Sequence, residues 1–359
     1  MNTFRLTNEQ RRCFALKEIP DTWEMIKAKP SPYDDYEAYL WLDGDTVVKY
    51  IASNDTTYCE YELNEKVTPD RKYLLPKTEK GKPVLLSSSS IQKRNGTGMR
   101  LDYCKTYIYL RNEISRCHYF TNSYLNDNIR DIDCFSRWVD SWCRETTQKD
   151  VEDITQFSKQ KRIHVKYQEG DVFRFRIGRR LYGYGRILLD FHKLRKSKKP
   201  FWDILMCRPL ICSVYHIVTD RKDVSPEELK ALPSLPSDIF MDDSLYYGEF
   251  QIIGNIPVTD NEDYPIMYGN SIKAGEKGVC YQRGKTYRRI ENESALYDGF
   301  INNGVGFYMH IDLDVLRQCI KENSNQPYWT RYRQCEVDKD LRNPVHAEKL
   351  QKIREQMGL

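Results

Sequence analysis

Three groups of residues have types and spacings that could do chemistry. The first is the run from Gly170 to Arg186, in which Phe173 and Phe175 alternate with Arg174 and Arg176, Arg179 and Arg180 follow Gly178, and Tyr182, Gly183, Tyr184 and Gly185 precede Arg186. The second is Cys207, Cys212 and His216, and the third is His310, Asp312 and Asp314. Each admits a functional and a purely structural explanation, and the elements that carry the residues decide between them.

In the first run, Gly183-Tyr-Gly185 lacks the third glycine and the following helix of a dinucleotide fingerprint. It also lacks the Gly-Lys-Ser/Thr of a Walker loop. The run Ile187-Leu-Leu189 that follows is strand-like, so the glycines belong to a strand, where glycine marks a bulge, a bend or a close approach of backbone. Their missing Cβ atoms predict a strongly coiled or bulged strand. With a period of two, Phe173, Phe175 and Ile177 share one face and Arg174 and Arg176 the other. Arg174, Arg176, Arg179 and Arg186 with Tyr182 and Tyr184 then form a basic, aromatic neighbourhood. Such a surface suits an acidic protein or RNA, against the simpler reading of solvated arginines on a hairpin.

The other two groups are weaker. On one strand Cys207 points away from Cys212 and His216, so only two ligands could converge where a zinc site needs three or four. His310, Asp312 and Asp314 would line one strand face as metal ligands, but Asp312 or Asp314 also suits the N-cap of a helix beginning at Val315. With six histidines in all and no local context for a Ser-His-Asp or Cys-His nucleophile, no catalytic residue and no cofactor is assigned.

The elements that must position these residues fall into two domains, as 359 residues would lead one to expect. The chain is 40% hydrophobic with 26 Tyr and 13 Phe, enough to build cores. Fifty-six basic residues nearly balance 52 acidic ones for a net charge of +4, which disfavours nucleic acid as a general partner. Eleven cysteines include no CxxC pair, so neither a disulfide framework nor a zinc ribbon is indicated. A charged opening from Met1 to Arg12 and the lack of any long apolar run lead to the expectation of a soluble, cytoplasmic protein without a membrane partner.

Residues 1–145 read as a β-rich domain. The Asp43-Gly44 turn lies between β-prone arms, and Phe135, Trp138, Val139 and Trp142 at i, i+3, i+4, i+7 predict a closing helix capped by Asp131 or Asp133. Residues 146–163 read as a connecting helical segment, 164–335 as a second β domain, and 336–359 as a helical tail in which Leu350, Ile353 and Met357 dock. The expected fold is α+β and predominantly β, the second domain being a bent antiparallel sheet or small β-barrel with peripheral helices.

Within that frame, Gly170, Asp171, Phe173, Tyr182, Gly183, Gly185 and Arg186 stand in a pattern that resembles the start of the immunity protein 26 family, also labelled phosphotriesterase-like. The resemblance covers residues 164–323, roughly half of the chain. It implies a mostly β, cytoplasmic, antitoxin-like protein that binds and neutralises a cognate toxin of a bacterial polymorphic-toxin system. Arg174, Arg176, Arg179, Tyr182, Tyr184 and Arg186 are the expected contact residues. Two alternatives stand beside it. One is a metal-dependent phosphotriesterase-like hydrolase using His310, Asp312 and Asp314, and the other is an RNA-binding small barrel.

Overall fold

The computed structural model describes residues 4–29, 35–105, 107–122, 129–196, 208–271, 275–297 and 340–359. The chain divides into two compact units, Met1–His164 and Val165–Leu359. Among the described residues no helix is long and apolar enough to cross a membrane.

The first unit is built on a seven-stranded antiparallel sheet. Its strands are β1 (Glu24–Lys27), β2 (Glu37–Asp43), β3 (Thr46–Ser53), β4 (Thr57–Lys66), β7 (Met99–Cys104), β8 (Tyr107–Asn112) and β9 (His118–Thr121), paired in that order. Between β4 and β7 the chain makes the small hairpin β5 (Tyr73–Leu74) and β6 (Val84–Leu85). The Asp43-Gly44 turn joins β2 to β3 with Gly44 at φ +61°, the left-handed region in which glycine carries no Cβ penalty.

Helices α1 (Asn8–Cys13), α3 (Ile132–Arg144) and α4 (Gln148–Ser158) contribute to one core of this unit, and the short α2 (Ser88–Ile91) contributes Ile91 to a second. In α3, Asp131 caps the helix by accepting from Cys134 N, and Phe135, Val139 and Trp142 are buried. The Phe135 and Trp142 rings pack with Phe14, Tyr103 and Phe120, Tyr103 and Phe135 stacking at 4.7 Å. Asn112, fully buried at the end of β8, donates to the carbonyls of Phe157, Ser158 and Gln160 at 3.0, 3.0 and 3.1 Å. It thereby closes the exposed end of α4, whose last carbonyls have no partner within the helix.

The second unit has a five-stranded antiparallel sheet made of β10 (Asp171–Arg176), β11 (Tyr182–Asp190), β12 (Pro209–Val214), β13 (Asp238–Met241) and β14 (Gln251–Asn255), in the order β13-β12-β11-β10-β14. A three-stranded sheet follows, from β15 (Ile266–Asn270), β16 (Val279–Arg283) and β17 (Thr286–Ile290). Short helices α5 (Phe191–Lys196), α6 (Pro226–Lys230) and α7 (Asp243–Tyr246) punctuate the connections, and α8 (Ala347–Gln356) packs Ile353 against Tyr268, Val279 and Tyr281. The architecture is α+β with antiparallel sheets dominant. Among the described residues neither sheet closes on itself.

The two glycines of β11 are not where the sheet bends. Phe173 pairs with Gly185 and Phe175 with Gly183 in an unbroken register, while the register shifts lie between Val172 and Phe173 on the β14 side and between Ile187 and Leu189 on the β12 side. A Cβ on Gly183 would sit 2.4 Å from the Phe175 ring, and one on Gly185 would sit 2.4 Å from the Phe173 ring. The glycines are seats for two cross-strand phenylalanines, both of which also pack on Phe250 at 5.5 and 5.2 Å. The expected coiling or bulge at these positions is therefore corrected to close packing.

Candidate functional site

The register of β10 with β11 sorts the motif into two faces. Phe173, Phe175, Gly183 and Gly185 lie on one, and Arg174, Arg176, Tyr182, Tyr184 and Arg186 on the other. At the start of the motif Gly170 adopts φ +90° with Ile256 O only 2.8 Å from where a Cβ would stand. Asp171 accepts from Gln168 N and Asn255 Nδ2, both at 2.8 Å, and so ties β10 to β14. Gly170 and Asp171 hold this corner together.

On the polar face, Tyr182 is the centre of a cluster of cations. The guanidinium carbons of Arg174 and Arg176 each lie 5.3 Å from its ring centroid and Lys222 Nζ lies 5.6 Å away. Each cation is within range of a favourable ring interaction, yet three like charges around one ring repel one another. Arg174 donates to Lys222 O and to Gln251 Oε1, and among the described residues it has no carboxylate partner. Arg176 Nη1 donates to the backbone carbonyl of Arg179 at 3.3 Å, which fixes the turn after β10. At the tip of that turn Arg180 is exposed and Leu181 is 40% exposed. The hairpin presents an arginine and a leucine at its tip beside a basic base.

Two expected contact residues are placed differently. Tyr184 is fully buried, its hydroxyl donating to Arg221 O at 2.6 Å, and burial raises its pKa. It supports the segment that carries Lys222 and offers no area to a partner. Arg186 is paired with Glu262, whose other oxygen accepts from Thr259 N at 3.0 Å, so its charge is neutralised within the unit. Tyr182 is 4% exposed and acts mainly through the cations around it.

Of the remaining candidates, Cys207, His310, Asp312 and Asp314 lie outside the described residues. Cys212 is buried, which pushes its thiol pKa up, and burial pushes that of His216 down. Among the described residues no group of three or more His, Cys, Asp and Glu side chains could hold a metal ion. Lys222 was not legible as a site residue, because only the path of the chain after β12 brings it to Tyr182.

Comparison with known proteins adds one observation. Residues 168–279 match the family model described as Immunity protein 26. The matched segment contains all five strands of the second unit's five-stranded sheet, the Tyr182 cluster and Glu262, and leaves residues 1–167 and 280–359 outside it. No curated protein matches the chain, and no solved structure does.

Proposed function

We propose that this chain is an immunity protein that acts in the cytoplasm by binding and neutralising a protein toxin of a bacterial polymorphic-toxin system. The observation that carries the reading is the Immunity protein 26 match over residues 168–279, because the matched segment holds the basic, aromatic face. Arginines held over a buried tyrosine ring, beside an exposed leucine, provide directional donors with an apolar contact, the chemistry from which binding hot spots are made.

In this reading the contact surface is Arg174, Arg176, Lys222 and the 179–181 tip, and its partner presents an acidic patch. The recognition domain is 164–335 with 336–359 as its helical tail, preceded by a separate folding module at 1–145 into whose core the helix of the connecting segment 146–163 packs. The hydrolase alternative receives no ligand set from the described residues.

Co-expression tests the proposal. Cells producing a candidate toxin encoded beside this gene should survive with the intact chain and lose that protection with Arg174→Glu/Arg176→Glu. Survival unchanged by the double substitution, at equal protein level and thermal stability, would remove this face from the function.

A further inference from the structure

Two residues beyond Tyr184 along β11, the same sheet face opens into a cleft of about 150 Å³. Ser213, paired directly with Arg186, and Tyr215 lie in its floor, while Leu188, Leu232 and Ile256 supply its apolar lining. Ser213 and Tyr215 are 6% and 5% exposed, and neither hydroxyl has a hydrogen-bond partner among the described residues. Arg186 Nε is buried without an acceptor, since the pairing with Glu262 uses Nη2. Buried polar groups are ordinarily satisfied, so the Arg186 N–H, beside two hydroxyls that open to the cleft without a partner among the described residues, points to a missing acceptor.

The charges around the cleft define what that acceptor is. Glu262 is held by Arg186 and Thr259, and Asp263 by Arg342 Nη1 at 2.9 Å and Ser237 N at 3.1 Å. Glu262 is therefore neutralised by Arg186, while Asp263, half exposed, shares Arg342 with Asp340. Lys230 is exposed at the rim and forms no ion pair among the described residues. What the cleft offers a ligand is one buried guanidinium N–H without an acceptor, two hydroxyls without a partner among the described residues and one exposed ammonium, a set of donors that favours an anionic acceptor. The volume lies below the roughly 300 to 1,000 Å³ of ordinary small-molecule pockets and suits a single short acid group.

We infer that this cleft is a carboxylate-binding pocket, recognising its ligand through Arg186 Nε, Ser213 and Tyr215 with Lys230 at the mouth. It rests on the reading of the second unit as a partner-binding domain only for the source of the carboxylate, an aspartate or glutamate side chain of the bound protein rather than a free small acid.

The test uses the full chain and needs no toxin. Calorimetric titration with N-acetyl-glutamate methylamide, its neutral glutamine counterpart and succinate should give millimolar binding of the acids and binding of the amide weaker by about ten-fold or more. Ser213→Ala/Tyr215→Phe should weaken acid binding by a similar factor at unchanged melting temperature, and the surface variant Lys230→Gln should weaken it without touching the fold. Tighter binding of the glutamate derivative than of succinate supports the side-chain source, and the reverse order overturns that source. Equal binding of acid and amide, no detectable binding of either acid, or acid binding indifferent to all three substitutions overturns the pocket itself. Each of these results is independent of the cell-protection assay.

Discussion

Substituting alanine for Gly185 should destabilise the second unit through a clash that can be worked out atom by atom. The new Cβ would stand 2.4 Å from Phe173 Cζ and 2.8 Å from Ser213 O, against the 3.4 Å or so at which ordinary contact begins. The Phe173 ring would have to retreat by about 1 Å into a core where it is already stacked on Phe250, and the β12 backbone would have to give as well. Overpacking of this kind costs about 1 to 3 kcal/mol, while loss of glycine's freedom in the unfolded chain returns about 0.4 to 1 kcal/mol. The net expectation is about 2 kcal/mol. At Gly183 the nearest atoms belong to the side chains of Phe175 and Ile177, which yield more readily than backbone, so Gly183→Ala should cost about 1 kcal/mol or less.

Amide hydrogen exchange across β10 and β11 reads this locally, and 2 kcal/mol corresponds to exchange faster by about 30-fold. Pairing Gly185→Ala with Phe173→Leu should recover about 1 kcal/mol relative to the sum of the single effects, since the smaller side chain vacates the contested space. Exchange in Gly185→Ala as slow as in the parent, or strict additivity with Phe173→Leu, would show that the glycine does not serve as a seat for the ring.

Two predictions concern the first unit. Asn112→Ala removes an amide whose two N–H groups are shared among three carbonyls at the end of α4 and whose oxygen accepts from Ile114 N and Ser115 N, and should cost about 3 kcal/mol in urea unfolding followed by tryptophan fluorescence; Asn112→Asp should cost more, because it sets a carboxylate against three carbonyls. Glu60 is buried, which alone would raise its pKa, but Lys49 and Arg11 outweigh burial and hold it below its ordinary 4.5. Its contribution to stability is therefore complete above the unfolded value and is lost as pH falls through the lower folded one. Glu60→Gln should remove that acid dependence and, by stranding two buried cations, cost about 3 to 5 kcal/mol near neutral pH.

The sequence reveals those parts of this protein whose signal is local. Asp43-Gly44 marks the β2–β3 turn because the turn type itself demands such residues, and the spacing of Phe135, Val139 and Trp142 marks the buried face of α3. Period-two alternation by itself separates Phe173 and Phe175 from Arg174 and Arg176. The same alternation puts Tyr182 and Tyr184 with the arginines but cannot reveal burial of Tyr184, which depends on residues 221–229 folding over that face. Nor can it reveal that Arg186 is neutralised by Glu262, 76 positions away. The glycines were legible as special but not why, since bulge and ring seat have the same local signature, and only the cross-strand register distinguishes them. The short strands β13 and β15 carry too few alternating residues to stand out from their surroundings.

The central claim is that the face around Tyr182 captures a protein partner by charge and contact area. Surface plasmon resonance of the intact chain and its Arg174→Glu/Arg176→Glu variant against the adjacent candidate toxin tests it most directly, with hydrogen exchange of β10 and β11 confirming that the sheet is intact. The account predicts a loss of affinity of about 100-fold, chiefly through faster dissociation, and a shallower salt dependence in the variant. Binding of the intact chain whose affinity and salt dependence survive the double charge reversal would contradict it.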